Sequence, residues 1–193
     1  MLVIAILIYI LAWLFFLWVV ASFFIFKCWK CPPYIPSFGK VKYTLLQEAS
    51  RILKGARKPL VVADLGCGDG CLLAHLARQF PQHQFVGYEW NPLPFYLAKL
   101  RLKKYPNARV IRADVMREDL SHIDLVVCYW LSEIDYAQKL RRSLKKSAIV
   151  LSEVFEVKEW KAHRTVASRL CGFQTQVFIY HMAEQKPISR CKK

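Results

Sequence analysis

The segment Asp64-Leu65-Gly66-Cys67-Gly68-Asp69-Gly70 puts glycines at three alternate positions, with acids at 64 and 69. Glycines so placed let the chain turn tightly and bring its backbone against a ligand with no Cβ in the way. Glu89 follows Gly66 by 23 residues. That separation suits a carboxylate at the tip of the neighbouring strand, where it accepts both hydroxyls of a ribose. The spacing is not G-x-G-x-x-G, the dinucleotide-binding fingerprint. A dinucleotide rests its pyrophosphate on the amides of a helix N-terminus. Acids beside the loop suit instead a ligand that has no phosphate and carries positive charge. Further along, Asp114 stands in Arg112-Ala113-Asp114-Val115, where it can cap a helical turn. The run Val127 to Glu133 then brings Tyr129, Trp130 and Glu133 close together.

These residues need strands and helices in alternation to meet. Leu60 to Ala63 is a short apolar run ending at the glycine segment, hence a buried strand, and Cys71 to Phe80 reads as the helix after it. Gln84 to Tyr88 is a second strand, Pro94 to Lys104 a helix and Ala108 to Arg112 a third strand. The alternation continues with a strand over Leu125 to Tyr129, a helix over Tyr136 to Lys145 and a strand over Ala148 to Ser152. Lys42 to Gly55 precedes them as an amphipathic helix, with Leu45, Leu46, Ala49, Ile52 and Leu53 on one face. Gln174 to Met182 favours a strand, paired with the region before it. Near-continuous apolar strands alternating with helices predict an α/β fold, a doubly wound and mostly parallel sheet covered on both faces.

The D-x-G-x-G-x-G form resembles motif I of class I S-adenosylmethionine-dependent methyltransferases. The resemblance implies that Asp64, Gly66, Cys67, Gly68 and Gly70 line the cofactor, with Asp64 near the amino group of its methionine part. It places Glu89 at the ribose and Asp114 near the adenine amino group, with Trp90, Asn91 and Val115 also counted among the cofactor-binding residues. The (D/N/S)-P-P-(Y/F) signature of adenine and glutamine methylases is absent after the fourth strand. Asn91-Pro92-Leu93-Pro94 is like it but follows the second.

More narrowly, the chain resembles the small membrane-anchored lysine methyltransferases that act on the ATP synthase c subunit and the adenine nucleotide translocase, with their prokaryotic relatives. The matching segments are Pro33-Tyr34-Ile35-Pro36-Ser37, Asp64 to Gly70, Gly87 to Pro92, Asp124 to Glu133, and Ser152 to Phe155 with Trp160. Ser132 stands where that family commonly has Pro, and Ser152-Glu153 where it has a small polar residue and Asn. The resemblance implies Tyr129 and Trp130 as aromatic walls for a lysine, Glu133 as the group orienting its amine, and Tyr34 as a cover over the cofactor. Ordinary packing at a strand end and a helix N-terminal acid remain the alternatives for these residues.

Residues 1–26 hold no Asp, Glu, Lys or Arg. As a helix they would reach roughly 39 Å, more than the ~30 Å of a bilayer core. No basic residue precedes the run, and it is too long for a signal peptide's apolar core. The expectation is a transmembrane helix over 1–26, a Pro-rich juxtamembrane linker over 27–37 and a catalytic domain over 38–193. Lys27, Lys30, Lys40 and Lys42 follow the helix directly, which predicts a cytoplasmic domain. The lack of an Arg-rich leader favours a bacterial inner membrane over a mitochondrial one.

The net charge of +15 falls entirely after residue 26 and favours an anionic partner, for which the lipid surface is the simplest. No nucleic-acid motif or aromatic-basic repeat is present, so a membrane-associated protein is the expected substrate rather than nucleic acid. Seven scattered cysteines suit a reducing compartment. Cys28 and Cys31 have no second pair and no His at zinc spacing, so no metal site is expected and packing or acylation is the preferred reading. Two other readings stay open: a methyltransferase of a lipid or small amphiphile, and a non-catalytic membrane-tethered cofactor-binding or interaction protein.

Overall fold

The computed structural model describes residues 2–29, 39–129, 134–157, 160–170 and 173–185, with side chains within α1 described at 4 and 6–20. The chain divides into two units, Met1–Ile35 and Pro36–Lys193. Among the described residues the first holds one helix, α1 (Leu2–Trp29), of 28 residues. Among the described residues no helix is long and apolar enough to cross a membrane.

The second unit opens with α2 (Gly39–Gly55). Then come β1 (Val61–Leu65), α3 (Cys71–Gln79), β2 (Gln84–Glu89), α4 (Pro92–Leu102), β3 (Ala108–Arg112), β4 (Leu125–Cys128), α5 (Ile134–Ser143) and β5 (Ile149–Glu153). A final hairpin pairs β6 (Arg164–Leu170) with β7 (Phe173–His181). The sheet order is β3-β2-β1-β4-β5-β7-β6. The first five strands are parallel, β7 runs antiparallel to β5, and β6 returns beside it.

Alternation along the strands feeds two cores. Val62, Phe85, Leu125, Val127, Leu151 and Val177 face a cluster containing Leu45, Ala49 and Leu53 of α2, Leu73 and Leu76 of α3, and Ala98 and Leu102 of α4. Ala63, Val86, Tyr88, Val126, Cys128, Val150 and Tyr180 face the other, with Ala137 and Leu140 of α5 and Trp160. The fold is the expected doubly wound α/β sheet, and its elements begin and end within about three residues of the sequence reading. One strand gives no apolar run in the sequence. Arg164–Leu170 is an edge strand that carries polar residues, and it is held against α2 by a Thr44–Ser168 hydroxyl bond of 2.9 Å and an Arg164–Glu48 ion pair.

Candidate cofactor and substrate site

Because β1 to β5 are parallel, their carboxyl ends lie along one edge, where an open α/β sheet binds its ligand. The turn from β1 to α3 is fixed from β2: the Gly66 and Cys67 amides both donate to the Tyr88 carbonyl, at 2.8 and 3.1 Å. Gly70 takes φ +71° at the start of α3, and a Cβ there would come within 3.1 Å of the Ala98 Cβ. The third glycine therefore allows both the turn and the close approach of α3 to α4. Gly87, which pairs with Asp64 across the sheet, leaves the space that the Cys67 side chain fills.

Glu89 ends β2 and is buried. Its Oε2 accepts the Gly68 amide at 2.9 Å and its Oε1 the Asn91 amide at 2.7 Å. The Gly68, Asn91 and Trp90 amides take part of the carboxylate's four acceptor positions and leave one for a ribose hydroxyl. Burial pushes the Glu89 pKa up, against the amides of Asn91, Gly68 and Trp90 that favour its charged form. The Asn91 side chain accepts from the Leu93 amide and so caps α4, while the Trp90 ring is exposed.

Asp64 is the more perturbed acid. Burial, then the negative charges of Glu153 and Glu89, push its pKa up to about 8, with Lys42 opposing and Asp69 adding a smaller upward push. Glu153 is completely buried at the end of β5. Asp69 is turned aside into an ion pair with Arg101 of α4, which also donates to the Asp69 carbonyl at 3.1 Å. Lys42 reaches from α2 to the Cys71 sulphur at 3.0 Å. The Cys67 thiol, its pKa raised by burial and then by Asp64, stays protonated and serves as packing.

At the tips of β3, β4 and β5 stand the remaining groups. Asp114 accepts from the Met116 amide at 3.0 Å and caps the turn Val115–Arg117, in which Val115 is buried. Tyr129 meets the Phe155 ring edge to face, centroids 6.1 Å apart. Phe155 is put there by a tight turn: its amide donates to the Glu153 carbonyl at 2.8 Å around Val154, whose φ is +71°. A β-branched residue held in that region is strained, as is the γ-turn it makes. The Ser152 hydroxyl donates to the Phe155 carbonyl at 2.6 Å and fastens the turn. Tyr34, Trp130 and Glu133 lie outside the described residues.

The donor set fits a ribonucleoside that carries cationic groups. Glu89 keeps an acceptor position for a ribose, and Lys42 alone does not offset the burial and negative charge that keep the Asp64 pKa high. A family model described as the ANTKMT methyltransferase domain matches residues 64–164. The chain belongs to that family.

It is an S-adenosylmethionine-dependent methyltransferase. Similar proteins include a protein-lysine N-methyltransferase of Saccharolobus islandicus, 26% identical over 159 residues, spanning 80% of this chain and 96% of that protein. Among solved structures, an RNA methyltransferase from Salinibacter ruber, in complex with S-adenosyl-L-homocysteine, superposes with a TM-score of 0.68 at 24% identity over 82% of this chain and all of its own. The tRNA methyltransferase TrmK of B. subtilis matches at 0.58 and 13%, over 75% of this chain and 66% of its own. At these identities the two structures speak for the fold.

The sequence did not foretell that Glu153 and Lys42 act on Asp64, nor that Phe155 faces Tyr129. A separate group, His163, His181 and Glu184, brings ligand atoms within 4.8 Å of one another. It lies at the opposite sheet edge, since His181 pairs with Ile149, the first residue of β5.

Proposed function

We propose that this methyltransferase methylates the side-chain nitrogen of a protein lysine and works tethered to a membrane by α1, its catalytic domain on the cytoplasmic side. The observation that carries the lysine reading is the Saccharolobus protein-lysine N-methyltransferase, matched over nearly its whole length. The tether rests on the sequence of α1, uncharged up to Lys27, and on the basic residues that follow. Holding an enzyme at the bilayer raises its effective concentration towards membrane-bound substrates.

Asp64, Glu89, Asp114 and the glycine loop are the residues that would hold the cofactor. When bound, S-adenosylmethionine supplies an electrophilic methyl group on a positively charged sulphur. The protein's part is alignment, desolvation and proton handling. A free lysine has a pKa near ~10.4 and must shed its proton to attack. The Tyr129–Phe155 pair packs on the aliphatic stem of the lysine. The proton leaves to solvent.

The test is to incubate the full chain, in membranes, with methyl-labelled S-adenosylmethionine and locate the label by mass spectrometry. Methyllysine in a membrane protein supports the proposal. Label found only in lipid, RNA or another amino acid sinks it.

A further inference from the structure

α4 (Pro92–Leu102) is apolar on the side that packs and equally apolar on the side that does not. Pro94, Ala98 and Leu102 are buried, with Ala98 close against Gly70. On the outer face Leu93, Tyr96, Leu97 and Leu100 recur at i, i+3, i+4 and i+7, and they are 67, 56, 47 and 72% exposed. A helix that is hydrophobic all round is ordinarily buried all round. Exposed Lys99, Lys103 and Lys104 rim the stripe. Between Trp90 and Ala113 the chain holds no Asp or Glu, while exposed Arg109 and Arg112 add to the lysines and Arg101 is paired with Asp69.

We propose that this outer face of α4 is a docking surface for an anionic lipid bilayer. Three leucines and a tyrosine set amid lysines have the composition of an interfacial helix. Such a helix sinks its apolar side to the boundary of headgroups and acyl chains and leaves its cations among the phosphates. Nucleic acid would meet the same charge, but three of the four side chains of this stripe are leucines, which offer a base neither a hydrogen bond nor a ring to stack on. The rim of cations matches the +15 charge of the chain and selects an anionic surface over a neutral one. Docking there has a functional consequence. Asn91, whose amide is bound to Glu89, caps this helix, so the lipid-bound face adjoins the ribose end of the cofactor site. The inference does not require α1 to span the membrane.

The experiment places the photoreactive residue p-benzoylphenylalanine at position 100 of the full chain. The protein is reconstituted with vesicles of phosphatidylcholine alone or with phosphatidylglycerol, and the adducts are weighed after illumination. A second chain carries the probe at the exposed position 79 of α3. The expected result is a lipid adduct from position 100 and none from 79, stronger with phosphatidylglycerol. Lys99→Ala and Lys103→Ala should each reduce that preference about fivefold. A chain that enters the vesicle fraction yet gives no lipid adduct from position 100, or cross-links there to a second copy, overturns the docking face and leaves the α1 tether standing. A chain that never enters the vesicle fraction overturns both.

Discussion

Cofactor binding should release a proton, and its affinity should climb steeply with pH. Asp64 holds its proton in the free protein because burial and the charges of Glu153 and Glu89 push its pKa up to about 8. To meet the cofactor's ammonium it must be ionised. With that pKa the ionised fraction is roughly 1% at pH 6 and about 24% at pH 7.5. Allowing for partial loss of the ligand's own amino proton, near ~7.8, affinity should rise about 16-fold over that interval, or ~1.6 kcal/mol. Glu89, also raised by burial, acts in the same direction. Calorimetric titration with S-adenosylhomocysteine in two buffers of different ionisation enthalpy reads both quantities. At pH 6 nearly one proton should leave per ligand bound, and Asp64→Asn should abolish the slope. An affinity changing less than about threefold, with no proton released, would refute the electrostatic reasoning.

The same acid should weaken the empty protein. The unfolded chain gives up this proton near the ordinary value of 3.8 and the folded chain only near 8, so stability falls as pH rises between them. Asp64→Asn should therefore melt roughly 5 °C higher than wild type at pH 7.5 without cofactor, and the gap should close towards pH 4 in a thermal-shift series. Gly87→Ala would drive a Cβ to within 2.5 Å of the Cys67 sulphur and 2.9 Å of Leu73 Cδ1. Urea unfolding should show a loss of about 1–3 kcal/mol, part of it recovered by adding Cys67→Ala. Phe155→Ala should leave the cofactor dissociation constant within about twofold while turnover falls roughly tenfold, a split that single-turnover methyl transfer can measure.

What the sequence disclosed is what local chemistry dictates. Alternate glycines after a β-branched run can only be a strand-to-helix turn, and Glu89 then follows from the length of one βα unit. The acid cluster is different. Glu153 stands 89 residues beyond Asp64 and acts on its charge only because a single strand, β4, lies between β1 and β5 in the sheet. Lys42 joins them from a helix that precedes the sheet. Local pattern carries no signal for such meetings. The strained turn at Val154 was equally hidden, since valine there reads as ordinary strand, and only hydrogen bonding on both sides holds its φ positive. Asp69, which looks like a ligand acid, is instead committed to Arg101, a partner supplied by the next helix but one in the chain's path along the sheet edge. The hairpin was half seen, because an edge strand such as Arg164–Leu170 carries polar residues on its exposed side and lacks the apolar run that betrays a central one.

The central claim is that the acids at the tips of β1 and β2 hold the methyl donor. Titrating the full wild-type chain and its Glu89→Ala variant with S-adenosylmethionine tests it most directly. Removing Glu89 would take away the charged acceptor proposed for the ribose and the anchor of the Gly68 and Asn91 amides. The account predicts micromolar binding by the wild type and a loss of about 100-fold or more in the variant, with its melting profile still cooperative. A folded wild type that binds no cofactor, or a variant that binds as well as the wild type, would contradict it.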